Sequence, residues 1–138
     1  MLARERLLPH EDEAVNRGFV DYNDSQGQVS GRQPIALVVY DDKGQLVGAL
    51  DGYLFFDWLT VGRLWVAPEQ RGGGMGTALL LEAEASARVA GCVGSTLNTY
   101  DFQARPFYEK QGYEVFGILR DNPKGHVRFF MSKSLLPR

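Results

Sequence analysis

The chain changes hydrophobic period twice. Ala14, Val15, Phe19 and Tyr22, which follow Pro9 and the acidic run of residues 11–13, lie close to one helical face and predict a helix near residues 10–23. Residues 23–34 are rich in Gly, Ser and Gln and read as a polar loop. Three apolar runs follow, over 35–40, 46–56 and 58–67, the first two separated by the turn residues Asp41, Asp42, Lys43 and Gly44. They predict an antiparallel meander. After a glycine-rich stretch the period becomes helical: Leu79, Leu80, Ala83 and Ala87 recur near one face within 75–90, and Gly91 is placed to cap that helix. Residues 93–100 predict a strand. A short helix should begin near Ala104, because Pro106 is tolerated only in a first turn, and stop at Gly112. Two strands, 113–120 and 126–133, flank a turn over 121–125.

The order is helix, three strands, helix, strand, helix, two strands. It implies an α/β (α+β) fold in which one mixed sheet is covered by helices. At 138 residues and 44% hydrophobic, the chain is expected to be a single domain over 1–138, able to bury a core without disulfides or metal.

Charge and composition narrow the function by exclusion. Fifteen Lys and Arg against 17 Asp and Glu leave a formal charge of −2, without the basic footprint of a nucleic-acid binder. The longest uncharged stretch, 89–100, is too short and too polar to span a membrane, and the N-terminal residues lack the apolar segment of a signal peptide. Cys92 is the single cysteine, so no internal disulfide can form; a cytoplasmic setting is expected, with Cys92 a buried apolar residue.

The stretch from Leu64 to Leu80 carries the most chemistry: a strand, then Arg71, Gly72, Gly73, Gly74, Met75, Gly76 and Thr77, then an Ala/Leu helix. Glycines let the backbone approach a ligand, and the helix start offers free N–H groups and the positive end of its dipole, which suit a phosphate. A P-loop is excluded because no Lys follows these glycines. The dinucleotide fingerprint fails because Thr77 and Leu79 stand where its last glycine or alanine must be. What remains is R-x-x-G-x-G, formed by Arg71, Gly74 and Gly76. It resembles the acetyl-CoA-binding motif of the GNAT N-acetyltransferases. A second match, to that family's N-x-x-A-x-x-[LF]-Y-x-x-x-G-[YF] segment, puts Ala104, Phe107, Tyr108, Gly112 and Tyr113 in register, with Asp101 where many members have Asn. Together the matches cover about residues 35–133.

The resemblance implies a mostly antiparallel sheet of about six to seven strands, the first reduced to residues 2–8. It implies acetyl-CoA as donor, with no metal, and direct transfer of its acetyl group to a primary amine of a small molecule or peptide. Residues 71–77 would hold the pyrophosphate, the Val66 N–H would face the oxyanion, and Tyr108 would act as acid toward the leaving sulfur, a tyrosine's reference pKa lying above a thiol's. The contact that Asn makes to the cofactor is open at Asp101. Neither Arg63, Leu64 nor Trp65 offers the Glu that many members use as base, which leaves Asp51, Asp57, Glu69 and His126, or a water chain. Phe56 and Trp58 either line an acceptor pocket, with Asp57 drawing a cationic amine, or form a core-facing hairpin and dimer contact. A non-catalytic acyl-CoA sensor or a scaffold on the same fold is the alternative function, and a homodimer is possible.

Overall fold

The computed structural model describes residues 1–29 and 31–137. Contacts divide the chain into two compact units, Met1–Arg32 and Gln33–Arg138. In the first, helix α1 spans Pro9–Ser25, with Pro9 in its first turn and the Glu11 carboxylate accepting the Leu8 N–H at 2.9 Å. It runs past the expected 10–23, ending at Gln26 before Gly27 with φ +73°. The strand expected over residues 2–8 does not form. Leu2, Leu7 and Leu8 are exposed and pair with no strand among the described residues; the extended backbone of Leu8, favoured before a proline, serves the helix start instead. The loop expected over 23–34 shortens to 26–32, and its Ser30 lies outside the described residues.

The second unit is a six-stranded sheet in the order β1-β2-β3-β4-β6-β5, where β1 is Gln33–Tyr40, β2 Leu46–Phe55, β3 Trp58–Val66, β4 Gly94–Tyr100, β5 Glu114–Arg120 and β6 Val127–Ser134. All neighbours are antiparallel except β3 and β4. Helices α2 (Met75–Val89) and α3 (Arg105–Lys110) complete it. Element order and strand count therefore follow the sequence pattern, with bounds shifted by one or two residues. No helix of the described residues is long and apolar enough to cross a membrane.

Leu79, Leu80, Ala83 and Ala87 of α2 are buried with Leu50, Leu59, Val61, Leu97 and Met131 of the sheet. Glu84 lies on the same helical face, fully buried. Its carboxylate accepts the Lys133 ammonium at 2.7 Å and the Tyr113 hydroxyl at 3.0 Å, and the Ser95 hydroxyl lies 2.7 Å from that of Tyr113. A charge so deep is tolerable because every oxygen has a partner. Both helices end in a left-handed glycine that closes a Schellman motif. Gly91 and Cys92 donate to Arg88 and Ala87, and Gly112 and Tyr113 donate to Glu109 and Tyr108.

One irregularity shapes the sheet. Asp51 pairs with Arg63 and Gly52 with Val61, so Gly62 is an extra residue, a β-bulge in β3. Gly52 must be glycine there, since a Cβ would come within 2.0 Å of the Thr60 carbonyl oxygen. A bulge bends its strand and increases the twist. Accordingly β3 and β4 pair only over Trp58–Gly94, Leu59–Ser95 and Thr60–Thr96, then part.

Candidate active site

The gap opens at the C-terminal ends of two parallel strands, and the glycine loop leaves from the end of β3. Ala67 donates to the Val47 carbonyl at 2.8 Å, toward β2. Backbone groups alternate along a strand, so the N–H and C=O of Val66 point away from β2 and into the gap. The Val66 carbonyl accepts the Arg71 Nε–H at 3.0 Å, which folds the loop back onto the strand end through the short 3-10 turn Pro68–Gln70.

Gly74 enters α2 in the left-handed conformation, φ +88°, and Gly72 has φ +83°. Both values favour glycine. The start of α2 has neither a side-chain cap nor an acidic residue in its first turn, unlike α1 with Glu11 and Asp12. Its first N–H groups and the positive end of its dipole are left for an anion. Gly76 allows α3 close: a Cβ there would lie 3.4 Å from the Phe107 ring. Gln111 at the end of α3 donates to the Thr77 hydroxyl at 3.0 Å, fastening the two helices together.

Between them lies a cavity of about 390 Å³ whose lining includes Val66, Arg71, Gly72, Gly74, Gly76, Thr77, Phe107 and Tyr108. Tyr108 is 8% exposed, its ring edge-on to Phe107 and Tyr113. Among the described residues its hydroxyl has no hydrogen-bond partner, and burial pushes its pKa above the ordinary tyrosine value. It is therefore a protonated donor facing the cavity. Of the residues singled out in the sequence, Val66, Arg71, Gly72, Gly74, Met75, Gly76, Thr77 and Tyr108 meet here, with Gly73 in the same loop.

The other candidates do not. Asp51 is held by a two-pronged contact to the Arg63 guanidinium, 3.1 Å from Nε to each oxygen, which lowers its pKa and makes it a poor base. Glu69 is exposed on the 3-10 turn, outside the cavity lining. Phe56, Asp57 and Trp58 form the hairpin tip, with Phe56 and Asp57 at φ +48° and +64°. They cannot line an acceptor pocket beside Val66, because Trp58 lies eight residues down an extended strand, about 26 Å away. Trp58 instead covers Gly94, where a Cβ would meet its ring at 2.5 Å. Cys92 is buried, its thiol pKa raised by burial and then by the charge of Asp57. Asp101 does not reach into the cavity lining; its carboxylate lies 3.0 Å from Nδ1 of His126. Sequence reasoning named those two residues separately and missed the pairing, as it missed the Arg71–Val66 and Gln111–Thr77 bonds. Twenty-five or more residues separate two of these three pairs, and no local pattern encodes such contacts.

The family model for the acetyltransferase (GNAT) domain matches residues 33–115, more than half the chain. The chain belongs to the GNAT acetyltransferases. It is similar to the blasticidin-S acetyltransferase of Streptomyces morookaense, 41% identical over 95 residues that cover 68% of this chain and 70% of that one. Among solved structures, an acetyltransferase from Bacillus cereus ATCC 14579 is 33% identical with a TM-score of 0.82, covering 97% of this chain and 98% of its own. A nourseothricin acetyltransferase is 29% identical with a TM-score of 0.68, over 75% and 66%. This GNAT protein is thus an acyl-transferring enzyme of a family whose fold uses acetyl-CoA. The cradle described above fits that donor: a glycine backbone and an uncapped helix start for its phosphates, and one continuous cavity leading to Tyr108.

Proposed function

We propose that this enzyme transfers the acetyl group of acetyl-CoA to a primary amine of a small molecule. The observation that carries the reading is the sharing of one cavity by the uncapped start of α2, the strand end at Val66 and the Tyr108 hydroxyl. Acetyl-CoA would supply the activated acyl group as a thioester. Backbone N–H groups of residues 71–77 would hold its pyrophosphate, and Arg71, braced on the Val66 carbonyl, adds positive charge at the loop. The Val66 N–H, directed into the gap, would donate to the oxygen on which negative charge develops. Tyr108, kept protonated by burial, would donate to the sulfur as it leaves.

Two of the similar proteins are acetyltransferases named for blasticidin-S and nourseothricin, which supports a small-molecule acceptor over a peptide. We place the reaction in the cytoplasm, which the single cysteine supports, and infer a homodimer, for which exposed Phe56 and Trp58 offer an apolar patch. The experiment is thiol release from acetyl-CoA with blasticidin S, nourseothricin, aminoglycosides, polyamines and a lysine peptide as acceptors. Release dependent on a small amine is the expected result. Release with the peptide alone would move the acceptor class. Donor-induced thermal stabilisation without release from any acceptor would favour the sensor reading.

A further inference from the structure

The cavity supplies an acid for the sulfur and a donor for the oxyanion, yet none of its lining residues can take a proton from an ammonium near neutral pH. An alkylammonium has a reference pKa near 10, so a proton must leave before the nitrogen can attack. The base must therefore reach the gap from elsewhere.

The two faces of the sheet differ at that gap. Leu64 and Val66 line the cavity on the side of α2, so Arg63 and Trp65 alternate onto the opposite face, where Trp65 is exposed. Across the gap, Leu97 and Thr99 of β4 and Phe129 and Met131 of β6 are buried on the α2 side, which puts Asn98, Tyr100, Arg128 and Phe130 on the opposite face. These four interlock: the Arg128 Nε–H donates to Asn98 Oδ1 at 2.9 Å, and its guanidinium lies over the Tyr100 and Phe130 rings. Phe102 stacks on Tyr100 at 5.3 Å, and the His126 ring stands edge-on to Phe102 at 5.0 Å.

His126 is thus anchored on the face opposite the cavity, and its height along the strands is also set. From the parallel pair Thr60–Thr96, Val66 lies six residues on, one of them the bulge, and Asp101 lies five residues on. Both sit at the same rim of the sheet. Nδ1 of His126 is 3.0 Å from the Asp101 carboxylate, which can only accept, so the pair is joined through Nδ1 and Nε2 is the ring nitrogen left to face outward. The side chain is 46% exposed, and among the described residues Nε2 has no partner.

Resting on the acetyltransferase reading above, we propose that the His126–Asp101 pair is the base of the reaction, receiving the acceptor amine through the β3–β4 gap from the face opposite α2. His126 Nε2 takes one proton from the ammonium, and Asp101 holds the ring in the accepting tautomer. The freed nitrogen forms the C–N bond to the thioester carbonyl carbon, and the C–S bond breaks with its electron pair on sulfur. Of the two protons nitrogen loses, one ends on the thiol and the other leaves through the imidazolium to water. Among the described residues the charged group in contact with the ring is Asp101 from the end of β4; Asp121, Lys124 and Arg128 lie along the same turn and strand as His126. The Asp121 carboxylate accepts the Gly125 N–H, and Arg128 is committed to Asn98 and two aromatic rings.

The test is steady-state kinetics of His126→Gln, His126→Ala and Asp101→Asn against pH, using whichever acceptor of the panel above the wild type acetylates, with acetyl-CoA affinity measured by calorimetry. His126→Gln should lose about 10²-fold or more in kcat, with donor affinity unchanged and the acidic limb of the pH profile abolished. Added imidazole should partly restore His126→Ala. Asp101→Asn should lower kcat with donor affinity unchanged, and in the free protein the neutral imidazole's nitrogen resonances should change from a single Nδ1-protonated tautomer to a mixture. A His126→Gln variant within twofold of wild type, or one that keeps the acidic limb, overturns the proposal while the transferase reading stands. Failure of the wild type with every acceptor overturns that reading and the proposal together.

Discussion

Tyr108→Phe separates chemistry from structure at a single oxygen. The ring stays, with its edge contacts to Phe107 at 5.1 Å and Tyr113 at 5.9 Å between centroids, so packing is retained. The hydroxyl has no partner among the described residues, and its removal orphans no neighbour. The folded protein should therefore change by less than about 0.5 kcal/mol, a thermal shift of about 2 °C or less in a chain of this size. In the reaction the same hydroxyl would donate to a sulfur gaining negative charge. A hydrogen bond to a charged group is worth about 1.5–3 kcal/mol, which at about 1.36 kcal/mol per decade becomes roughly a 10- to 150-fold fall in kcat. Three measurements decide it: thiol release under donor saturation, calorimetric acetyl-CoA affinity, and a melting curve. We expect kcat to fall in that range while affinity and Tm hold. An unchanged kcat, or a loss accompanied by a comparable fall in Tm, would refute the role of Tyr108.

Gly74→Asp puts a side chain at φ +88° and a negative charge at the start of α2; acetyl-CoA affinity should weaken about 100-fold, some 2.7 kcal/mol, by calorimetry. Tyr113→Phe deletes the bonds to Ser95 and Glu84, so it should cost about 1–3 kcal/mol in urea unfolding while kcat of the folded protein stays within a few-fold. Burial raises the folded-state pKa of Tyr113 above the ordinary 10.0 and that of Tyr108 in the same direction. The unfolded chain then ionises first, so their contribution is complete below about pH 10 and is lost as the pH climbs beyond it. Tyr113→Phe should flatten that alkaline decline. Gly52→Ala drives a Cβ to 2.0 Å from a backbone oxygen and should cost about 3 kcal/mol or more, whereas Gly62→Ala, whose nearest atom is at 3.3 Å, should cost less.

Much of this molecule was legible along the chain because its determinants are local. Turn chemistry at Asp41 and Gly44, the helical period of Leu79, Leu80, Ala83 and Ala87, the positive-φ glycines Gly91 and Gly112, and Pro106 in a first turn all act over a few residues, and the elements formed where they indicated. The glycine loop was legible for a similar reason, since a backbone with positive φ at Gly72 and Gly74 has few sequence solutions; Tyr108 was singled out only by the resemblance of its segment to the family's, and the structure lines one cavity with both. The strand expected over residues 2–8 failed because a strand exists only with a partner, and local pattern cannot supply one.

Tertiary structure alone decided the rest. The parting of β3 from β4 depends on a bulge at Gly62 that is defined only against Asp51 and Gly52 across the sheet. Burial of Glu84 needs Lys133 and Tyr113, 49 and 29 residues away. The meeting of Asp101 with His126, and the removal of Asp51, Asp57 and Trp58 from the site, follow from strand register and strand length. A residue's type states what chemistry it can do, but distance and desolvation set whether it does so, and both are properties of the packed chain.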